Sequence, residues 1–256
     1  MLVDSHCHLD MLLSTPEENV AGYINAAQKM GVEHFLCVSV KLTDFNTMLK
    51  LIEPFDCVSA SVGLHPNEVV VKEPTDAELV ALASNERVVA IGETGLDYYR
   101  SEGDLTWQQN RFRTHIAAAK TIRKPIIVHS RAAKEDTIKI LTNESARDVG
   151  GVLHCFTEDW EMAQAAMDLG FYISFSGIVT FKNAVTLQEV AQKIPLDRML
   201  IETDAPFSAP VPYRGKVNQP AYVYHVAEFI ANLRQEPLSR IAEYTTRNFY
   251  NLFKPS

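Results

Sequence analysis

The sequence predicts a single (β/α)8 barrel over residues 1–256, and three observations carry that expectation. Short apolar runs alternate with helical patterns from end to end. The runs begin near Leu2, His34, Asp56, Arg87, Pro125, Gly150, Phe171 and Arg198, about every 28 residues, which is the length of a strand–loop–helix–loop unit in a parallel sheet. Histidines and carboxylates stand at the C-terminal ends of several runs, where barrels build their active sites. An open doubly wound sheet is the alternative. It would spread the first, fourth, fifth, sixth and eighth runs too far apart to share one mouth.

The first run, Leu2-Val3-Asp4-Ser5-His6-Cys7-His8, ends in two histidines one residue apart. Strand alternation points both imidazoles the same way. Helix starts are well signalled: Thr15-Pro16-Glu17-Glu18 offers an N-cap, a first-turn proline and a capping-box glutamate, and Thr75-Asp76-Ala77-Glu78 repeats the capping box. Gly31 and Gly170 fall where C-terminal caps belong. Later runs add Glu93 after Val88–Gly92, His129 after Ile126–Val128, His154 after Gly151–Leu153, and Asp204 after Met199–Thr203.

Composition bounds the rest. A chain of 256 residues with 46% hydrophobic content can bury one large core, and no low-complexity segment or charge block marks a linker. Asp4 and His6 stand where a signal peptide needs a basic start and a long apolar run. No stretch approaches the roughly 18 apolar residues of a membrane helix, so a cytoplasmic protein is expected. The four cysteines form no C-x-x-C pair and read as buried free thiols. Strand alternation is expected to turn Cys7 and Cys155 away from the histidine face. Net charge is −8 and no Lys/Arg run occurs, which fits poorly with a grip on long duplex DNA. A monomer with no obligate protein partner is expected.

Four histidines and two carboxylates at one mouth point to a metallohydrolase. Imidazole and carboxylate together suit Zn, Mn or Mg. Six ligands exceed what one catalytic ion with an open position uses, whereas two divalent cations about 3.5–4 Å apart, sharing a carboxylate, would use them all. Such a pair acidifies a bridging water and clamps a phosphoryl or acyl oxygen. Asp204 is the natural acceptor for the water's proton. Buried, unpaired His and Asp in such number would be too costly without a cation.

The segments LVDSHCHLD (Leu2–Asp10), GLHP (Gly63–Pro66), GETGLDYY (Gly92–Tyr99), IVHSR (Ile127–Arg131), HCF (His154–Phe156), ETDAP (Glu202–Pro206) and YRGKVNQP (Tyr213–Pro220) resemble the TatD family of metal-dependent deoxyribonucleases, in the family's order. The resemblance implies a TIM barrel of the amidohydrolase superfamily. It implies one metal on His6, His8, Glu93 and Asp204, and a second on Glu93, His129 and His154. It also makes His65 an active-site residue that contacts substrate or water, beside Asp204 and Glu93 as the catalytic set. Many relatives in the wider superfamily place a carboxylated lysine where Glu93 stands, which favours the TatD-like branch.

Substrate contacts are expected from Arg131, whose fork suits a phosphate oxygen, and from Tyr98, Tyr99 and Arg100, where stacking plus a cation could hold a nucleotide. Arg214 and Lys216, in the loop after the eighth run, are further candidates for a backbone phosphate. His34, His115 and His225 read as structural or solvated. The expected function is a nuclease that cleaves phosphodiester bonds from the ends of short or single-stranded DNA. A small-molecule amide or ester hydrolase is the alternative, and a non-catalytic metal or protein-binding module is a third.

Overall fold

The computed structural model of the protein describes residues 1–12 and 19–255. Strands β1 (Leu2–Cys7), β2 (Val32–Cys37), β3 (Val58–Val62), β4 (Val88–Asp97), β5 (Ile126–Arg131), β6 (Gly151–Leu153), β7 (Phe171–Phe175) and β8 (Met199–Ile201) form one parallel sheet in chain order. Each strand starts within two residues of its expected position. The sheet closes on itself through a parallel bridge between Cys7 and Ala205. His8 N donates to Ala205 O at 2.8 Å, and Asp204 N donates to His6 O at 2.9 Å across the same seam. The fold is a nearly closed (β/α)8 TIM barrel, and the open sheet is set aside.

Helices α1 (Val20–Lys29), α2 (Phe45–Ile52), α3 (Asp76–Ala83), α4 (Thr106–Ile122), α5 (Lys134–Asn143), α6 (Trp160–Asp168) and α7 (Val185–Lys193) alternate with the strands, and α8 (Val223–Arg234) and α9 (Leu238–Phe253) both follow β8. The expected start at Thr15-Pro16-Glu17-Glu18 lies outside the described residues; α1 is capped by Asn19, whose side chain accepts from Gly22 N. The capping box at Thr75 and Glu78 forms as expected. Gly31 and Gly170 adopt left-handed conformations just before β2 and β7.

Alternation along the strands divides the core. Residues such as Phe35, Val128, Leu153 and Ile201 pack outward in the cluster shared with the helices. Val3, Leu36, Ala90, Ile127, Val152 and Leu200 form a second buried cluster in the barrel interior, closed by Phe249 and Phe253 of α9. Two residues further along the same inward face stand His129 and His154, and Leu200 is followed at that spacing by Glu202 and Asp204. The strands thus change from apolar to histidine- and carboxylate-bearing as they approach the mouth.

His34 and His115 are structural, as expected. His34 Nε2 lies 2.9 Å from Ser59 Oγ. His115 is fully buried on α4. Its Nδ1 donates to Arg111 O at 2.8 Å, which leaves Nε2 to accept the Leu64 N–H at 3.0 Å. This bond ties α4 to the segment that delivers His65.

Burial pushes the His115 imidazole down to about 4. The unfolded chain, at about 6.5, therefore takes up a proton first. The stability contributed by neutral His115 is complete above about pH 6.5 and is lost as pH falls toward 4. Between pH 7 and pH 5 the unfolding free energy should fall by about 2 kcal/mol more in the natural protein than in His115→Gln. Urea unfolding of both at each pH measures the difference. Parallel pH profiles would contradict a buried neutral His115.

Candidate metal centre

Glu93 sits in the middle of β4, not at its end as the sequence suggested, and a local irregularity aims it inward. Ile91 pairs with Ile126 but Thr94 pairs with Val128, so β4 carries one extra residue there. Gly92, at φ 137°, makes this possible. A Cβ at that position would meet Ile127 O at 2.6 Å. The close approach leaves room only for glycine.

The Glu93 carboxylate is 2% exposed and is ringed by five imidazoles. Its two oxygens divide them. Oε1 lies 2.7 Å from His154 Nε2, 3.1 Å from His129 Nδ1 and 3.3 Å from His65 Nε2. Oε2 lies 3.3 Å from His6 Nε2 and 3.8 Å from His8 Nε2. Asp204 Oδ1 completes the second group, 3.5 Å from His8 Nε2 and 3.8 Å from His6 Nε2. Asp204 itself holds a left-handed conformation at φ 59° on the closing seam.

A layer of outer partners fixes the imidazoles. His8 Nδ1 donates to Val38 O at 2.8 Å, so in the neutral ring the Nε2 lone pair faces the carboxylates. Glu202 Oε1 lies 3.3 Å from His154 Nδ1 and also accepts the Cys155 N–H. Asp97 Oδ2 lies 3.3 Å from His129 Nε2 and accepts from Asn67 Nδ2. Asp4 accepts from Thr203 N and Thr203 Oγ1, which joins β1 to the segment carrying Asp204. Asn218 holds that segment from outside through the Thr203 and Phe207 carbonyls. The sequence reading missed all of these except as parts of motifs, although Asp4 and Glu202 each precede a ligand position by two residues, the signal for a shared strand face.

His65 is held differently. Its Nδ1 accepts the Asn67 N–H at 3.1 Å, so neutral His65 carries its proton on Nε2 and donates toward Glu93. Proximity alone groups His65 with Glu93 and His129 as possible ligands. The tautomer instead makes it a hydrogen-bond donor at the mouth.

The electrostatics favour positive charge between the carboxylates. Burial opposes ionisation of Glu93, but His154, His65 and His129 overcome it and hold the carboxyl well below its usual range. Burial likewise works against a charged His8, yet Asp204 and Glu93 hold it up at about 9. His129 and His154 are raised by Asp97, Glu93 and Glu202 against the same burial cost. Burial and the stacked His154 ring, 3.9 Å away, push His6 down. Buried Glu93 Oε2 and His6 Nδ1 have no hydrogen-bond partner. A nitrogen- and oxygen-lined space with an unpartnered carboxylate oxygen fits a divalent cation of the Zn, Mn or Mg class.

The mouth opens into a cavity of about 500 Å³ lined by His8, His65, Glu93, His129, His154 and Asp204, with Arg100 and Arg131 as its cations. Arg131 lies over the Tyr99 ring, 4.1 Å from its centroid. Phe207, 54% exposed, is a lining aromatic that the sequence reading missed. Tyr98 is not brought to the mouth: its hydroxyl donates to Asp136 of α5 at 2.8 Å and accepts from Gln109 of α4. Asp97 Oδ1 accepts the Tyr99 and Arg100 N–H groups, and this turn separates the two adjacent tyrosines. Arg214, over the Phe181 ring, and exposed Lys216 lie on the rim loop and do not line the cavity. Cys7 is buried away from the site as expected. Cys155 is not: β6 ends at Leu153 and Cys155 takes φ 42°, which breaks the alternation and brings it to the cavity wall.

The family model for TatD related DNase matches residues 3–254. The chain is 48% identical over 254 residues to a protein of Escherichia coli strain K12 described as the uncharacterized metal-dependent hydrolase YcfH, covering 98% of this chain and 95% of that one. It is 42% identical over 255 residues to the uncharacterized metal-dependent hydrolase YabD of Bacillus subtilis strain 168, covering 99% of each. Among solved structures, the TatD homologue YJJV of Escherichia coli K12 superposes with a TM-score of 0.86 at 27% identity, over 99% of this chain and 98% of that one. With its barrel, its carboxylate-centred histidine cluster and these relatives, the chain belongs to the TatD related DNase family and is a metal-dependent hydrolase.

Proposed function

We propose that the protein is a deoxyribonuclease that removes nucleotides from the ends of short or single-stranded DNA with two divalent cations. The observation that carries this reading is the division of imidazoles between the two oxygens of Glu93. His6, His8 and Asp204 would hold one ion with Glu93, and His129 and His154 the other. When bound, the ions supply an acidified water and polarise a phosphoryl oxygen.

The chain's own groups do the rest. Burial would raise the Asp204 carboxyl, but its hydrogen bond with His8 and the charges of His6 and His154 hold it below its ordinary value. It is therefore ready to accept a proton at neutral pH. His65 Nε2–H donates to a phosphoryl oxygen or to the attacking water. Arg131, at the cavity wall, offers its fork to a second oxygen. Tyr99 and Phe207 supply exposed rings on which unstacked bases can lie. A cavity of about 500 Å³ is of small-ligand size, which suits a strand end better than a long duplex. The described residues contain no helix long and apolar enough to cross a membrane. A cytoplasmic monomer is part of the same proposal, and the four cysteines are free thiols, the state that a reducing cytosol maintains.

The cavity's size also suits a small amide or ester, so a substrate panel decides. Linear single strands should be cut in a metal-dependent manner and circular single strands should not. Equal cleavage of both would contradict end dependence, and turnover of simple amides or esters with neither DNA cut would transfer the assignment to a small-molecule hydrolase.

Asp204→Asn should lower kcat by a factor on the order of 10²–10⁴ with much less change in KM. Arg131→Ala should instead raise KM and reduce the salt sensitivity of binding. Steady-state kinetics at two salt concentrations, with metal content checked, separates the roles. Near-normal kcat in Asp204→Asn with metal retained would move the proton acceptor to another residue.

A further inference from the structure

The opposite end of the barrel holds a second polar cavity, of about 570 Å³, formed by segments that precede β4, β5, β6, β7 and β8 and by the chain after α9. Five cations line it: Arg123, Lys124, Arg147, Arg198 and Lys254. Only Glu86 and Asp148 oppose them, and Asp148 is already paired with Lys120 at 3.5 Å. The chain as a whole has 24 basic and 32 acidic residues, so this cavity reverses the protein's charge balance.

Among the described residues none of the five cations forms an ion pair with a carboxylate. Lys124 Nζ is spent on the carbonyls of Ala83 and Val88. Arg147 Nη2 donates to Asp168 O at 2.9 Å, which leaves the rest of its fork available. Arg198 lies 5.4 Å from the centroid of the half-buried Tyr172 ring. Gly170 stands on the cavity wall in open space, where a Cβ would meet nothing within 4 Å. Like charges gathered without counter-charges repel one another, and guanidinium forks match phosphate oxygens in pairs.

We propose that this base cavity is a binding site for a multiply charged phosphate anion, either a free oligophosphate or the phosphate chain of a nucleotide. Arg123, Arg147, Arg198 and Lys254 supply the donors, and the Tyr172 ring borders the space a base would enter. The site is separate from the metal centre, so its test stands or falls independently of the nuclease reading.

Calorimetric titration of the metal-loaded protein with inorganic triphosphate, and separately with ADP, tests the site. The natural protein should show a saturable event that weakens at least tenfold in Arg123→Ser/Lys254→Ser and, separately, in Arg147→Ser. Metal content, circular dichroism and hydrolytic rate should not change in either variant. A third titration, with inorganic pyrophosphate, matches the phosphate chain of ADP: tighter binding of ADP than of pyrophosphate would add a base contact, and equal binding would assign recognition to phosphate alone; both support the site. Absence of saturable binding overturns the proposal. So does binding that both base variants retain, which would place the anion at the metal mouth.

Discussion

The structure depends on one buried carboxylate. Glu93 is almost fully withdrawn from water, a position that costs on the order of several kcal/mol for an isolated charge. The cost is offset because five imidazoles converge on its two oxygens from four strands or strand ends. Closing the barrel is what allows this convergence. The seam bonds between His6, His8, Asp204 and Ala205 close the sheet and set the ligand geometry at once.

Two layers support that arrangement. Below, the inward faces of the strands are apolar and plugged by Phe249 and Phe253, so the lower barrel is a packed core with no need of polar partners. Around the mouth, Asp97 and Glu202 back His129 and His154, while Asp4 and Asn218 brace the segment of Asp204. Carboxylates behind imidazoles fix ring orientation and raise ligand basicity. His65 stands apart because a backbone N–H, not a carboxylate, occupies its Nδ1. The same shell therefore sets His65 apart from the carboxylate-backed His129 and His154.

The barrel and the gathering of the six candidate ligand side chains at its mouth were legible because each of them ends an apolar run or lies one step beyond it, and inward-facing positions recur at a spacing of two. The failures share a cause: local backbone departures from that spacing. The bulge at Gly92 puts Glu93 inside β4, with the strand running on to Asp97. The left-handed turn at Cys155 moves a thiol expected to face away onto the cavity wall. The Asp97 turn sends Tyr98 toward the helices and leaves Tyr99 against Arg131. Asp4, Asp97 and Glu202 escaped notice because a lone acid in or just beyond a strand does not show whether it meets water or a buried polar partner; for Asp4 and Glu202 the two-residue spacing was the one available hint.

The central claim is that the two oxygens of Glu93 serve two cation positions. Anomalous diffraction from metal-loaded crystals of the natural protein and of Glu93→Ala, with metal content measured in solution, tests it most directly. The account predicts two ions in the natural protein, one beside His6, His8 and Asp204 and one beside His129 and His154, and loss of both in the variant. A single ion held by fewer than four of His6, His8, Glu93, His129, His154 and Asp204, or loss of only one ion in Glu93→Ala, would contradict it.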